Sequence, residues 1–211
     1  MAGERGSRAT SLAVVALLAG LAAGAWALWP RPVPASALSP LPTGEAGRLA
    51  VDPMSLALAD FGAATEPYDH VRTFPDLVAL NTLNPAEVAA FRVAKAGAAR
   101  VSITSGLPDG RVIVAVVRTG DRAAAIRTAD LLDRYQLEFG LPRAVPVGDV
   151  ARVVATVEDP RAEAPAQPLA RAHYVHDDMV VRVQFEAKSF AALTRFGALL
   201  SLQTKVLPAD G

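Results

Sequence analysis

Cysteine is absent from this 211-residue chain. That excludes disulfides, thiolate metal sites, a thiol nucleophile and a lipid-modified cysteine. Any exported form must therefore stand on its packed core alone. Lysine is scarce, with 3 lysines beside 18 arginines, an imbalance that looks like GC-rich coding and not a basic patch. A surplus of either charge is also missing, because the formal net charge is zero. Without residues 1–37 the chain keeps 18 basic against 20 acidic side chains. A remainder near −2 with scattered charges has no electrostatic reason to hold nucleic acid.

The usual catalytic signatures are lacking too. The sequence contains no G-x-S-x-G elbow, no G-x-G-x-x-G turn and no P-loop lysine. Asp69-His70, beside Tyr68, supplies half of a catalytic dyad at most, and Ser102 and Ser105 read as ordinary strand positions. No catalysis and no cofactor are expected.

What the chain does have is a long apolar run. Ser11 to Trp29 is nineteen residues without a charge, enough for roughly 28 Å of helix against a hydrocarbon core of about 30 Å. Trp26 and Trp29 stand at its outer end, where indoles favour the headgroup zone. A buried soluble helix of this kind would have no polar face. A signal peptide is the competing reading, with Arg5 and Arg8 as a basic start and Ala35-Ser36-Ala37 as a small-x-small cleavage site. The run is longer than the usual apolar core of such a peptide, roughly 7–15 residues, and proline crowds the segment before the cut. The expectation is a single-pass anchor at the cell membrane with the C-terminal domain outside, the alternative being secretion after cleavage near Ala37. Arg5 and Arg8 before the run and Arg31 and Arg48 after it give almost no orientation bias, so the short N-terminal tail argues for N-inside.

The chain divides into a tail over 1–10, a membrane span over 11–29, a proline-rich stalk over 30–62 and a domain over 63–211. Pro30, Pro32, Pro34, Pro40, Pro42 and Pro53 impose extended backbone on the stalk. In the domain, Asn84-Pro85 starts a helix as N-cap and first residue. Arg100–Ser105 alternates like a strand, Leu107–Gly110 is a turn, and Arg111–Arg118 is an apolar, mostly buried strand. Asp121 opens a helix to about Phe139, with Ala125, Ala129, Leu132, Tyr135 and Phe139 on one face. Its Asp130 and Asp133, with Arg127 and Arg134, read as a solvated face. A strand is expected over Val150–Val157, followed by a surface loop over Asp159–Pro168. Two strands, Ala170–His176 and Met179–Ala187, meet at Asp177-Asp178, and Ser189 caps a helix lined by Phe190, Leu193, Phe196 and Leu200.

Sliding Arg111–Leu132 onto Met179–Leu200 matches six of 22 positions, which suggests a duplicated ββα unit. The fold class is α+β, an antiparallel sheet with helices on one face. On such a sheet Arg118, Arg182 and Glu186 would line the uncovered face, where a ligand or partner docks. His173, His176 and Asp177 are the residues with metal-ligand chemistry, although strand geometry sends the two histidines to opposite faces. Together these features point to a membrane-anchored extracytoplasmic binding or accessory domain of an envelope complex. A cleaved and secreted small-ligand binder is the alternative.

Overall fold

The structure is a computed structural model and describes residues 54, 57–159 and 166–210. The expected tail, membrane span and most of the stalk lie outside the described residues, as does the middle of the 159–168 loop. No helix among the described residues is long and apolar enough to cross a membrane.

The elements run α1 (Phe74–Ala79), α2 (Pro85–Val93), β1 (Ala99–Leu107), β2 (Gly110–Arg118), α3 (Arg122–Glu138), β3 (Val153–Ala155), β4 (Leu169–His176) and β5 (Met179–Ala187). A 3₁₀ turn (Ala191–Arg195) then leads into α4 (Phe196–Val206). The strands form one antiparallel five-stranded sheet in the order β1-β2-β5-β4-β3. The chain is α+β.

Local chemistry starts and stops these elements. Asn84 Oδ1 accepts from the Glu87 N–H at 2.8 Å while Glu87 Oε2 accepts from the Asn84 N–H at 2.9 Å, a reciprocal cap with Pro85 at the first helical position. Thr73 and Asp76 cap α1 in the same way. Asp121 caps α3 through the Ala124 N–H. At the β1–β2 hairpin, Gly110 has φ +158 and packs so closely on Glu186 O and the Phe185 ring that no Cβ fits.

Both faces of the sheet are covered, which corrects the expectation of helices on one face only. Val112, Val114 and Val116 of β2, with Val181, Val183 and Phe185 of β5, pack with Phe196, Leu199 and Leu200 of α4. The alternate residues Ile113, Ala115 and Val117 pack with Phe74 and Leu77 of α1, Phe91 of α2, and Ala125, Ala129 and Leu132 of α3. The physical sign was already in β2, where Val112 to Val117 are all buried. A run apolar at every position needs cover on two sides.

The same placement tells against duplication of a ββα unit. In the first unit α3 covers one face, and in the second α4 covers the other. With the two hairpins antiparallel neighbours in one sheet, a rotation superposing them would leave their helices on the same face. The two units have opposite hand, so the six matches reflect shared strand and helix patterning.

Smaller differences follow from tertiary contacts. Met54, Ala57, Ala59 and Phe61 are buried against the α4 side, so the folded unit takes in part of what the prolines marked as stalk. The strand expected over 150–157 is limited to Val153–Ala155. Phe139 is 66% exposed because α3 has ended beside it. Asp133 is buried and receives two hydrogen bonds from Arg143, each 2.6 Å, while its neighbour Asp130 pairs with Arg152 at the surface. The outer edges of the sheet are not free. Thr65 bridges to Thr104 of β1, Thr73 to Ala98 just before it, and Arg143 to Val154 of β3, which obstructs edge-to-edge pairing.

Candidate binding cavity

Polar residues on β4 and β5 alternate with apolar ones, and Arg182, Gln184 and His173 on the α2/α3 side are buried. Arg171 and His173 on β4 stand opposite Gln184 and Arg182 on β5. Ala115 lies across from Arg182 on the other side, and its small side chain leaves room for the guanidinium. From above, α2 lowers Glu87 into this row. Its carboxylate pairs with Arg182 Nε at 2.9 Å, and both side chains are 1% exposed. A bare ion pair at that depth is costly unless its remaining donors and acceptors are met.

Most of them are met by a network. Gln184 Oε1 accepts from Arg182 Nη2 at 2.7 Å and from Arg171 Nε at 2.9 Å. Arg171 Nη1 donates to Gln136 of α3, whose amide in turn donates to Glu87 at 3.4 Å. Gln184 Nε2 donates to Glu186 at 2.6 Å, and Glu186 accepts from Arg111 Nε at 3.0 Å. Burial, and then the charge of Arg182, pull the Arg171 guanidinium down to about 10, against the opposing pull of Glu87 and Glu186. Arg182 Nη1 and Thr82 Oγ1 are closed off from solvent without a hydrogen-bond partner.

Beside this network lies a cavity of about 380 Å³, lined by Asn81–Asn84 and Tyr68 and by Arg111, Arg171, Arg182 and Gln184. At its mouth Tyr68 donates to Glu66 at 2.6 Å, and Ser105 donates to the same carboxylate at 2.5 Å. Those two bonds hold Glu66 below the usual carboxylate range. The innermost layer thus has two guanidiniums against one carboxylate. Such a site can clamp an acceptor-rich group.

No family model matches the chain, and neither the curated proteins nor the solved structures gave a match.

The residues expected to share an uncovered face are separated. Arg182 is buried under α2, and Glu186 lines the mouth of the cavity beside Arg111. Arg118 sits at the opposite end of β2, paired with Asp178 at 3.4 Å. The histidine cluster is also dispersed. His173 is buried beneath the α2/α3 layer with neither ring nitrogen bonded, and burial with the charges of Arg182, Arg171 and Arg152 holds it well below its ordinary pKa. His176 Nδ1 lies 2.9 Å from Pro208 O, at the C-terminal tail, with the exposed Asp177 beside it. No group of three or more potential metal ligands occurs among the described residues. His70 is exposed and stacks at a tilt on Tyr68, with ring centres 5.9 Å apart.

A second hollow, about 440 Å³, lies between α3, the loop before β3 and the C-terminal tail. Its charged residues are mostly spent on ordinary surface pairs, Arg122 with Asp210 and Arg152 with Asp130. The first cavity is the better candidate because Arg171, Arg182 and Glu87 place buried charges along it. Glu87, Gln136, Arg171 and Gln184 were not singled out by the sequence. The signal that could have found Arg171 and Gln184 is the polar alternation along both strands. Nothing local announces Glu87 as more than a helix cap.

Proposed function

We propose that the chain is a membrane-anchored extracytoplasmic binding domain that takes its ligand in the cavity beneath Asn81–Asn84 and does no chemistry on it. Residues 11–29 hold it in the membrane, the proline-rich segment spaces it from the surface, and an envelope protein complex is its place of work. One observation carries the binding reading: a cavity of about 380 Å³ in an otherwise packed sheet face is lined by three arginines, Arg111, Arg171 and Arg182, the last two sharing the buried carboxylate of Glu87. A hollow with a few convergent polar groups is the usual form of a small-ligand site.

The same cavity supports a second reading, a soluble small-ligand binder released by cleavage after Ala37. The test begins with C-terminally tagged full chain purified from membranes in mild detergent. An N-terminal peptide starting at Met1 or Ala2 supports the anchor, and one starting at Leu38 replaces it with the secreted form. Thermal unfolding of the same preparation against a panel of small polar metabolites then tests binding. Stabilisation that disappears in Arg171→Gln supports the cavity. Stabilisation unchanged in that variant would move the ligand elsewhere.

A further inference from the structure

We propose that the cavity takes a small zwitterion of the amino-acid class, its carboxylate turned inward to Arg171 and its ammonium outward to Glu66. This rests on the reading of the cavity as the binding site and goes on to name the chemistry of its ligand.

Strand register sorts the charges by depth. Arg111 stands opposite Glu186 across β2 and β5. Ser105, which holds Glu66, lies at the same end of β1. Two residues farther along the strands, about 7 Å inward, Gln184 stands opposite Arg171. Arg182 follows two residues beyond that, under Glu87. The outer row thus has two carboxylates, Glu66 and Glu186, to one guanidinium, Arg111. The inner group has two guanidiniums, Arg171 and Arg182, to one carboxylate, Glu87. His173 adds no charge there, since burial and the neighbouring guanidiniums keep its imidazole neutral. These six charges sum to zero, but they are separated, negative at the mouth and positive at depth. A ligand with a net charge would upset the sum. A zwitterion preserves it and complements the separation.

Each end also offers a group that a ligand can reach. Arg182 is closed in, with 1% of its side chain exposed, and acts through its field alone. Arg171 lines the cavity and keeps 12% of its side chain exposed. Gln136 and Gln184 take one N–H from each of its terminal nitrogens, and Glu87 at 3.6 Å stands beyond hydrogen-bond length. A second N–H therefore remains on each nitrogen, in the fork that suits a carboxylate. At the mouth, Glu66 accepts from the hydroxyls of Tyr68 and Ser105, which bring no charge. Those bonds keep it ionised, while the Arg111 guanidinium is bonded to Glu186. Its negative charge is free to meet an ammonium.

The experiment is calorimetric titration of the full chain in detergent with γ-aminobutyrate, which carries its two charges at opposite ends of a short chain. Butyrate lacks the ammonium, butylamine lacks the carboxylate, and sodium chloride at the same ionic strength is the control. Millimolar affinity is expected for γ-aminobutyrate, with each half-charged analogue at least about tenfold weaker. Glu66→Gln removes the charge at the partly exposed mouth and keeps an acceptor for the hydroxyls. It should weaken γ-aminobutyrate about tenfold and leave butyrate no weaker. The ligand series on the wild-type chain decides the matter by itself should that variant fail to fold. If butyrate binds as tightly as γ-aminobutyrate and Arg171→Gln weakens both, the cavity is a binding site but the zwitterion assignment is wrong. The assignment is also overturned if γ-aminobutyrate gives only the chloride response, or binds Glu66→Gln as well as wild type. Binding of γ-aminobutyrate that is unchanged in Arg171→Gln would overturn the cavity itself.

Discussion

Glu87 and Arg182 lie 95 positions apart in the chain and meet as an ion pair at 2.9 Å, with both side chains 1% exposed. Glu87 also completes the cap of α2 by accepting from the Asn84 N–H. One carboxylate therefore starts a helix, fastens it to the central strand of the sheet and sets the charge of the cavity floor.

Truncating one member of that pair should cost far more than replacing both. Glu87→Leu leaves Arg182 buried without its counterion, and the expected loss is about 3–5 kcal/mol. The double variant Glu87→Leu/Arg182→Leu should recover much of it, because two apolar side chains need no partner. Urea unfolding of the four proteins of the cycle measures the difference. A double-variant loss equal to the sum of the two single losses would mean the pair is not coupled.

His173 should make the domain sensitive to acid. Its folded pKa lies well below the ordinary 6.5 because burial and the charges of Arg182, Arg171 and Arg152 disfavour the imidazolium. The unfolded chain then binds the extra proton first. Stability is complete above about pH 6.5 and falls as pH drops toward the folded pKa, by about 1.4 kcal/mol per unit from this group. Urea midpoints between pH 7 and pH 5 should fall more steeply in wild type than in His173→Leu. Parallel slopes would place the acid sensitivity in other groups.

Gly110→Ala should destabilise the domain by about 1–3 kcal/mol, since the new methyl meets Glu186 O and the Phe185 ring where β2 and β5 pack closest. Gly140→Ala, at φ +82 but with open space around its Cβ, should cost less. Comparison of the two melting temperatures separates close approach from backbone strain.

The C-terminal tail is tied to β4 by buried and exposed bonds together. The Tyr174 hydroxyl donates to Leu207 O at 2.8 Å in the core, and the Asp210 N–H donates to Val175 O at 2.8 Å. Tyr174→Phe leaves that carbonyl unpaired, a loss of about 1–3 kcal/mol. Hydrogen exchange should show the Asp210 amide losing protection ahead of the strands. Unchanged exchange there would mean the tail is held without Tyr174.

The sequence by itself determined what depends on near neighbours. Asn84-Pro85 with Glu87 three residues after the cap specified where α2 begins, and Asp177-Asp178 marked the β4–β5 hairpin, where Asp177 takes φ +51. The β-branched run Val112–Val117 marked a strand buried through its thickness. The tertiary structure alone decided the rest, because faces and partners are set by which helix covers which side. Arg182 reads in the sequence as a charge on an open sheet face. It is in fact the floor of a cavity, since α2 and α3 close over that face and bring Glu87 and Gln136 down to it. Arg118 falls on the other face by strand alternation and stands at the end of β2, paired with Asp178. Periodicity tells which residues share a side, and only packing tells whether that side meets water or another layer of the protein.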